Sequence, residues 1–268
     1  MPNPTITAVV IARDEAKQIA ACLASARPLT DDLLVLLDDR TSDDTARIAE
    51  AAGARVVVSR FVNFSAQRNR ALETAGGDWV LFIDADERLT PTLIAEIKKC
   101  LAALPSALPP PMREASIAGY WAARRNYMFG HWVRHAGWYP DYQLRLLRRT
   151  AARYDESRAV HELAQLSGPD AKLREPLIHY NYETWAQFRA KQRYYTAFEA
   201  RILYQQGQRV RLRNFVLQPL REFRRRYISL EGWKDGWLGL ALALAMTWYE
   251  FRKYVMLWRM GKLTCHCR

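Results

Sequence analysis

The chain has 268 residues, of which 50% are hydrophobic and 25% charged, and its formal net charge is +12. Half of the chain being apolar excludes a disordered protein, and four cysteines are too few for a disulfide framework. The positive charge predicts an anionic partner, which can be nucleic acid, anionic lipid or a phosphorylated substrate. No basic region followed by a long apolar run opens the chain, so we expect no secretory signal and a cytosolic location.

The first hundred residues alternate between strand and helix patterns. The predicted strands are ITAVVIA (6–12), LLVLLD (33–38), RVVVS (55–59) and WVLFID (79–84). The predicted helices cover residues 16–27, 42–53 and 65–76, and a fourth begins with Thr90 as N-cap and Pro91 in the first helical position. Such alternation indicates an α/β fold, in which a parallel sheet carries helices on both faces.

In sheets of this kind, ligands bind outside the carboxyl ends of the strands. Acidic residues stand at three of the predicted ends: Glu15 beside Arg13, Asp38, and the pair Asp84 and Asp86. The sequence therefore predicts a binding site at this edge.

The stretch LFIDADERL (81–89) ends an apolar strand in three carboxylates. In extended chain, Asp84 and Asp86 would share a face about 6 Å apart and repel by about 3 kcal/mol at an effective dielectric near 20. A divalent cation such as Mg²⁺ or Mn²⁺ would remove this repulsion, because it prefers oxygen ligands. Alternatively the acids begin a solvated turn, with Glu87 entering the next helix. The triplet alone leaves both interpretations open.

Two further acids, Asp43 and Asp44, follow Ser42 in the predicted first turn of a helix. The helix dipole favours carboxylates there, so we interpret them as capping residues. Cys22 and Cys100 lie in helical patterns and are predicted to be core residues. The terminal Cys265, His266 and Cys267 have too few potential ligands nearby to predict a metal site.

The second half of the chain changes in composition. The proline cluster at 104–116 predicts an exposed loop, and the aromatic and arginine-rich segment that follows predicts short strands and loops. From Trp185 the pattern is helical and basic, with eleven Lys or Arg in residues 188–226. The apolar run 236–249 is shorter than the roughly 20 residues that span a bilayer, so it predicts a helix at a membrane interface, with a buried core helix as the alternative.

The order VVIARDEA, LLDDRTSDDT, FSAQRNRAL and GDWVLFIDADE resembles the GT-A nucleotide-sugar transferases of glycosyltransferase family 2. The later stretch GYWAARRNYMFGHWVRHAGWYPDYQLRLLRR, with AVHE after it, is similar to bacterial lipopolysaccharide-core β-glucosyltransferases. The resemblance covers most of the chain. It implies a GT-A transferase domain at 1–184 and a basic helical extension at 185–268 that associates with the membrane interface.

The resemblance also implies roles for individual residues. Asp84 and Asp86 match the DxD motif, whose acids hold the ribose and a divalent cation, Mg²⁺ or Mn²⁺, on the sugar diphosphate. Asp38 matches the acid that contacts the nucleotide base, and Asp141 matches the catalytic base. The other nucleotide-sugar-binding positions that it implies are Arg13, Glu15, Arg68 and Arg145.

Several of these positions have alternatives. Asp38 can be a turn residue, Arg68 a surface arginine and Asp141 a structural aspartate. The aromatic neighbours of Asp141 would desolvate its carboxylate, which favours proton uptake. His161 and His179 are possible ligands or acid–base groups, although histidines among aromatics are more often packed. Arg148, like Arg145, can bind phosphate or be solvated.

The resulting expectation is an inverting transferase that moves a hexose, glucose from UDP-glucose, onto a membrane glycolipid such as the lipopolysaccharide core. The alternative acceptors are a polyprenyl phosphate or another surface glycan. A protein without enzymatic activity is a further alternative, because the positive charge also suits a basic scaffold that binds nucleic acid or membrane. The expected partners are a UDP-sugar, a glycolipid and the anionic inner face of the bacterial inner membrane. We expect no nucleic acid, because the basic segment lacks a recognisable recognition module.

Overall fold

The computed structural model describes residues 4–103, 116–157 and 164–265, with the backbone alone for 263–265. The chain divides into two compact units. Unit 1 comprises residues 1–124 and 142–179, and unit 2 comprises residues 125–141 and 180–268. The predicted boundary at 184/185 stays a prediction.

Unit 1 begins with the predicted alternation of strands and helices. In chain order its first elements are β1 (Ile6–Ala12), α1 (Ile19–Ala26), β2 (Leu33–Asp38), α2 (Thr45–Ala51), β3 (Arg55–Ser59), α3 (Phe64–Thr74), β4 (Trp79–Ile83), β5 (Glu87–Arg88) and α4 (Pro91–Ala102). Thr90 caps α4 by accepting from the Leu93 N–H, and Pro91 occupies the first turn, as predicted. The helix predicted from Ser42 begins only at Thr45.

The later strands vary in length, from two residues in β7 to ten in β6, and in the described part of the chain no α-helix alternates with them. They are β6 (Gly119–Met128), β7 (His131–Trp132), β8 (Asp141–Arg148), β9 (Ala152–Tyr154), β10 (Ala164–Leu166), β11 (Asp170–Lys172) and β12 (Leu177–Tyr182). The sheet of unit 1 has the order β3-β2-β1-β4-β8-β6-β12-β5. Strands β1 to β4 pair in parallel, whereas β8 pairs with β4 in the antiparallel direction. This mostly parallel sheet, flanked by helices, confirms the predicted fold class.

Successive side chains of the central strands point to opposite faces of this sheet, and each face is covered by an apolar cluster. Ala8, Val10 and Leu81 point into a cluster that includes α1 and α4, whereas Val9 and Phe82 point to the opposite cluster, beneath α3. The central strands are buried on both faces, which is the reason that they read as continuous apolar runs. Because both faces are covered, the strand ends are the places where polar side chains can gather.

Unit 2 contains the C-terminal helices α5 (Trp185–Gln205), α6 (Asn214–Phe223) and α7 (Gly236–Cys265). A capping box formed by Thr184 and Gln187 starts α5. The unit has its own apolar cluster, formed by Met128, Val133, Tyr182, Phe188, Leu238, Leu242 and Tyr249. The helical character predicted from Trp185 is therefore confirmed.

That residues 236–249 lie at a membrane interface stays a prediction, and the structure limits it to one face of the helix, because the other face is buried. Leu238 and Leu242 are 5% and 0% exposed, because they pack in the cluster of unit 2. In the described part of the chain, no helix is both long enough and apolar enough to cross a membrane.

Candidate active site

Three loops at one edge of the unit 1 sheet carry most of the predicted site residues. Because β2, β1 and β4 are adjacent and parallel, their carboxyl ends lie side by side. The loop after β1 contains Arg13 and Glu15, β2 ends at Asp38, and the segment after β4 contains Asp84 and Asp86. The topology therefore brings together the acids that the sequence places far apart.

Hydrogen bonds fasten the first two loops to each other. The Asp14 carboxylate accepts from the Ser42 N–H at 2.7 Å, and the Glu15 N–H donates to Thr45 Oγ1 at 2.8 Å. Asp43 accepts from the N–H groups of Thr45 and Ala16, both at 3.0 Å. Asp43 thus satisfies the first N–H of α2, as a capping role requires, and also holds the neighbouring loop.

Asp44 does not cap α2 with its side chain, in contrast to the prediction. Its carboxylate pairs instead with the Arg47 guanidinium one turn later at 3.0 Å. The capping role assigned to this pair of acids therefore falls on Asp43 alone.

The β2 end presents a carboxylate and a guanidinium together. Asp38 is 5% exposed and accepts from Arg40 through the backbone N–H at 2.9 Å, Nε at 2.9 Å and Nη2 at 2.6 Å. Hydrogen bonding to Arg40 holds the pKa of Asp38 well below its ordinary value, although burial opposes the shift. The Arg40 guanidinium also lies 4.9 Å from the centre of the Phe61 ring. Asp38 is therefore an ionised acceptor, flanked by donors.

The segment after β4 is a tight turn and not extended chain, which corrects the expectation that Asp84 and Asp86 share a strand face. The strand ends at Ile83, and the Glu87 N–H returns to the Asp84 carbonyl oxygen at 2.9 Å. The Glu87 carboxylate accepts from the Asp84 N–H at 3.0 Å. Glu87 belongs to β5 and is fully buried, so it does not enter the following helix.

A buried arginine neutralises two of the three carboxylates. Arg145 of β8 is 3% exposed, and its guanidinium donates to both oxygens of Asp84 and to Glu87 Oε1. Arg124 Nη1 lies 3.7 Å from the same Glu87 oxygen. Partial burial opposes the ionisation of Asp84, whose side chain is 45% exposed, yet the charge of Arg145 outweighs it and holds the pKa of Asp84 below its ordinary value.

Asp86 has a different neighbour, His179 of β12, whose Nε2 lies 3.3 Å from Asp86 Oδ2. The pairing of β12 with β5 sets this approach, because His179 stands opposite Glu87 in the ladder. The His179 side chain is 6% exposed and that of Asp86 31%. A carboxylate is a ligand that Mn²⁺ or Mg²⁺ accepts, and a neutral imidazole is a common metal ligand, although it suits Mg²⁺ less well than oxygen does.

Within the described residues, no group of three or more His, Cys, Asp and Glu side chains is arranged to hold a metal ion. Both Asp84 oxygens are already engaged by a buried guanidinium, whereas Asp86 is partly exposed next to His179. The residues present therefore fit a cation held by Asp86 and His179 and completed by oxygens of a bound ligand.

The remaining predicted residues of unit 1 differ in their exposure and in their contacts. Arg68 lies over the rings of Phe82 and Tyr154 at 5.1 and 5.6 Å, and its charge also lowers the pKa of Asp84. Arg13 is exposed and 3.6 Å from the Asp14 carboxylate. Arg148 donates to Ser116 Oγ and the Ile117 carbonyl oxygen, which is a structural role.

Asp141 belongs to unit 2, as the first residue of β8. The Asn126 amide, which is 1% exposed, donates to the Trp138 carbonyl oxygen at 2.7 Å and lies 3.4 Å from Asp141 Oδ2. Asn126 is therefore one neighbour of the carboxylate that the resemblance implies as the catalytic base. His161, His266, Cys267 and the 104–115 part of the predicted loop lie outside the described residues.

Sequence reasoning missed Arg40, Arg124 and Asn126 as members of these arrangements. Arg40 follows Asp38 by two residues, a spacing that allows a local carboxylate–guanidinium pair. For Arg124 and Asn126, no local pattern gives such a signal, because their partners are set by strand pairing and loop folding.

Comparison with known proteins gives the family. The model of glycosyl transferase family 2 matches residues 7–153. A lipopolysaccharide core biosynthesis glycosyltransferase, LpsC of Rhizobium meliloti, is 27% identical over 94% of this chain and 91% of its own length. An uncharacterised glycosyltransferase of Rickettsia conorii is 37% identical over 36% of this chain and 34% of its own.

Two solved structures show more distant likeness. Glucosyl-3-phosphoglycerate synthase of Mycobacterium tuberculosis, solved with Mn²⁺, uridine diphosphate and phosphoglyceric acid, is 26% identical with a TM-score of 0.37. That match covers 46% of this chain and less than half, 44%, of the enzyme. Mannosyl-3-phosphoglycerate synthase of Rubrobacter xylanophilus is 20% identical over 78% and 77% of the two chains, with a TM-score of 0.46.

The family model covers more than half of the chain, and the acids of the resemblance lie at the sheet edge where the fold places ligands. The chain belongs to glycosyltransferase family 2 and is a nucleotide-sugar-dependent glycosyltransferase.

Proposed function

We propose that the chain transfers glucose from UDP-glucose, with inversion, to the lipopolysaccharide inner core at the cytoplasmic face of the inner membrane. The observation that carries this proposal is the set of carboxylates Asp38, Asp84 and Asp86 on three loops at one edge of the sheet. The relative LpsC, which aligns with 94% of the chain and is named for lipopolysaccharide core biosynthesis, supports the acceptor class.

Asp38 and Arg40 bind the uracil base of the donor. Uracil presents an N3–H donor between two carbonyl oxygens. The Asp38 carboxylate has lone pairs beyond those that Arg40 uses, so it accepts from N3–H while the guanidinium donates to a carbonyl oxygen. Cytosine has an acceptor at N3, which a carboxylate does not satisfy. The pair therefore favours a uridine diphosphate donor.

The rest of the donor binds along the same edge. Asp84 contacts the ribose, held in place by Arg145. Arg13, Glu15 and Arg68 line the nucleotide. Asp86 and His179 would hold a divalent cation when the donor is bound, a reassignment from the predicted pair of Asp84 and Asp86, because a cation on Asp84 would compete with Arg145. Bound there, the cation supplies Lewis-acid stabilisation of the departing diphosphate.

The transfer itself requires a base for the acceptor hydroxyl. The hydroxyl oxygen attacks the anomeric carbon as its proton passes to the Asp141 carboxylate. The bond between the anomeric carbon and the diphosphate oxygen breaks on the opposite face, and UDP leaves with the electron pair. Attack opposite to the leaving group inverts the anomeric centre, so an α-linked donor gives a β-linked product.

The acceptor can instead be a polyprenyl phosphate or another surface glycan, and an acceptor panel separates these. We further propose that residues 1–184 act as the transferase domain and that residues 185–268 hold the enzyme at the anionic membrane surface.

Calorimetric titration with UDP, with and without Mn²⁺, tests the donor site. We expect Mn²⁺ to tighten UDP binding to the unmodified chain and Asp86→Ala to abolish this effect, because the diphosphate loses its bridging cation. Asp44→Ala is the matched control, since its exposed carboxylate pairs with Arg47, and it should bind as the unmodified chain does. Retention of Mn²⁺-dependent binding by Asp86→Ala would remove Asp86 from the metal site.

A further inference from the structure

Helix α7 exposes a stripe of large apolar side chains opposite its buried face. Its members recur every three or four residues: Trp237, Leu240, Leu244 and Trp248 are 69%, 37%, 52% and 56% exposed. Trp258, farther along the same stripe, is 40% exposed. Leu238, Leu242 and Tyr249 on the other face pack in the cluster of unit 2. The helix therefore uses one face for the core and leaves these large apolar side chains exposed on the other.

Helix α6 lies beside this stripe and adds to it. Phe215 of α6 has its ring centre 6.1 Å from that of Phe251 and 6.4 Å from that of Trp258. Its neighbours Val216, Leu217 and Leu220 are 66%, 43% and 59% exposed. Exposed apolar residues that occur singly are ordinary on a protein surface, whereas several of them grouped on two packed helices indicate an interaction site.

Basic residues surround the apolar side chains. Residues 209–262 contain twelve Lys or Arg against four acids. All four acids have partners within unit 2: Glu222 pairs with Arg225 and Arg226, Glu231 with Lys234 and Glu250 with Lys253, and Asp235 is hydrogen-bonded to the His135 ring. The excess positive charge is thus left on other side chains, among them the exposed Arg211, Arg213, Arg221, Arg224 and Arg259.

Two of these arginines line a recess on α6. Arg213 and Arg221 border a cavity of about 220 Å³ together with Asn214, Leu217 and Gln218. Guanidinium groups bind phosphate oxygens with two parallel hydrogen bonds, and the Asn and Gln amides add donors. The recess is therefore suited to a phosphate that lies at the edge of an apolar surface.

We propose that the exposed faces of α6 and α7 dock on an anionic phospholipid bilayer, with the α7 stripe at the boundary between headgroups and acyl chains and Arg213 and Arg221 on a lipid phosphate. Tryptophan is enriched at this boundary because its ring is apolar and its N–H is polar. A second copy of the chain is a poorer occupant, since a two-fold contact would bring equal positive patches together.

The proposed docking surface excludes three residues of the basic and apolar segments that the sequence analysis describes, namely Leu238, Leu242 and Arg226. The two leucines are core residues, and Arg226 is held by Glu222 and by the Ala136 carbonyl oxygen at 2.9 Å. The docking proposal rests on the proposed function, because it names the surface through which the enzyme would reach a lipid-borne acceptor.

Flotation with vesicles tests the docking surface in the absence of donor and acceptor. The vesicles contain either phosphatidylglycerol and phosphatidylethanolamine or phosphatidylcholine alone. We expect the full chain to float with the anionic vesicles, less so at high salt, since each basic residue near the surface adds a contribution that salt screens. A remainder should persist at high salt, because burial of apolar area does not depend on salt.

Three variants of the full chain locate the surface. Trp237→Ala with Trp248→Ala should weaken binding at least about tenfold, and Arg213→Ala with Arg221→Ala about twentyfold at low salt. Val62→Ser, which changes a 70% exposed apolar residue of unit 1, is the matched control and should bind normally. Thermal melting and UDP binding should be unchanged in all three, which excludes misfolding as the cause.

Other outcomes overturn the proposal. If the tryptophan variant floats like the unmodified chain, the α7 stripe is not the docking face. If the full chain does not bind vesicles but sediments as a dimer, and the tryptophan variant sediments as a monomer, the face joins two copies. Loss of UDP binding with intact flotation would refute the proposed function and leave the docking surface standing.

Discussion

Replacement of Arg145 by Met should lower the urea concentration at which unit 1 unfolds. The reason is that Asp84 and Glu87 lose their shared buried counter-ion. Met preserves most of the side-chain volume, so the change removes charge and hydrogen bonds more than packing. Glu87 is fully buried, so water does not replace Arg145 there, although Arg124 lies 3.7 Å away. The Asp84 side chain is 45% exposed and stays partly solvated, so most of the loss is expected to come from Glu87. Removing one member of a buried ion pair costs about 3–5 kcal/mol.

The matched control is Arg47→Met. Arg47 and Asp44 form an ion pair of nearly the same type, but their side chains are 73% and 66% exposed. An exposed pair contributes about 0–1 kcal/mol, so this variant should differ little from the unmodified chain. Adding Glu87→Gln to Arg145→Met should restore part of the loss, because a neutral amide is less costly to bury than an unpaired carboxylate.

Urea titration at pH 7.5, followed by tryptophan fluorescence, measures these differences. The pKa of Asp84 is depressed in the folded state, so its contribution is fully present above the ordinary aspartate value of about 3.9 and is lost as pH falls through the folded-state value. At pH 7.5 it is intact. A loss below about 1 kcal/mol for Arg145→Met, equal to the control, would refute the buried network as a stabilising element.

The remaining predictions concern catalysis and thiol chemistry. Asp141→Asn should leave UDP affinity within about twofold and lower turnover by about 10²–10⁴, the range for loss of a general base. Nearly normal turnover would place the base elsewhere. Burial raises the pKa of the Cys22 thiol to about 12, so iodoacetamide at pH 8 should alkylate Cys22 only after unfolding. Alkylation of Cys22 in the native chain, read by peptide mass spectrometry against partly exposed Cys100, would contradict its burial.

The sheet could be predicted because each of its first four strands is a local apolar run between helix signals. Thr90 and Pro91 marked the start of α4 for the same reason, since both act within one turn of chain. Strand direction then follows from the alternation, and the position of Asp38 and Asp84 at one edge follows from strand direction.

What the sequence could not provide are the partners that strand pairing brings from far along the chain. Asp84 receives Arg145, 61 residues away, and Asp86 receives His179 through the β12–β5 ladder. The estimate of carboxylate repulsion in the DxD motif assumed extended chain and no such partners. Neither assumption holds, because the segment forms a turn that brings Glu87 back to Asp84, and the Arg145 guanidinium neutralises charge there.

Helix α7 shows a second limit. Its apolar residues occur on both faces, so composition alone gives no separation between core and surface. Packing against Phe188 and Tyr182 selects one face, and this selection was not predictable without the neighbouring helix. Truncation near Leu230 would therefore remove core residues, and substitution of exposed side chains is the sounder test of membrane binding.

The most direct test of the central claim is transfer itself. Purified chain is incubated with UDP-glucose, Mn²⁺ and lipopolysaccharide inner-core acceptor, and the product linkage is read by proton NMR. We expect UDP release coupled to a β-linked glucoside, with turnover reduced in Asp86→Ala and Asp141→Asn. Transfer that proceeds with retention, or equally well in both variants, would contradict the account.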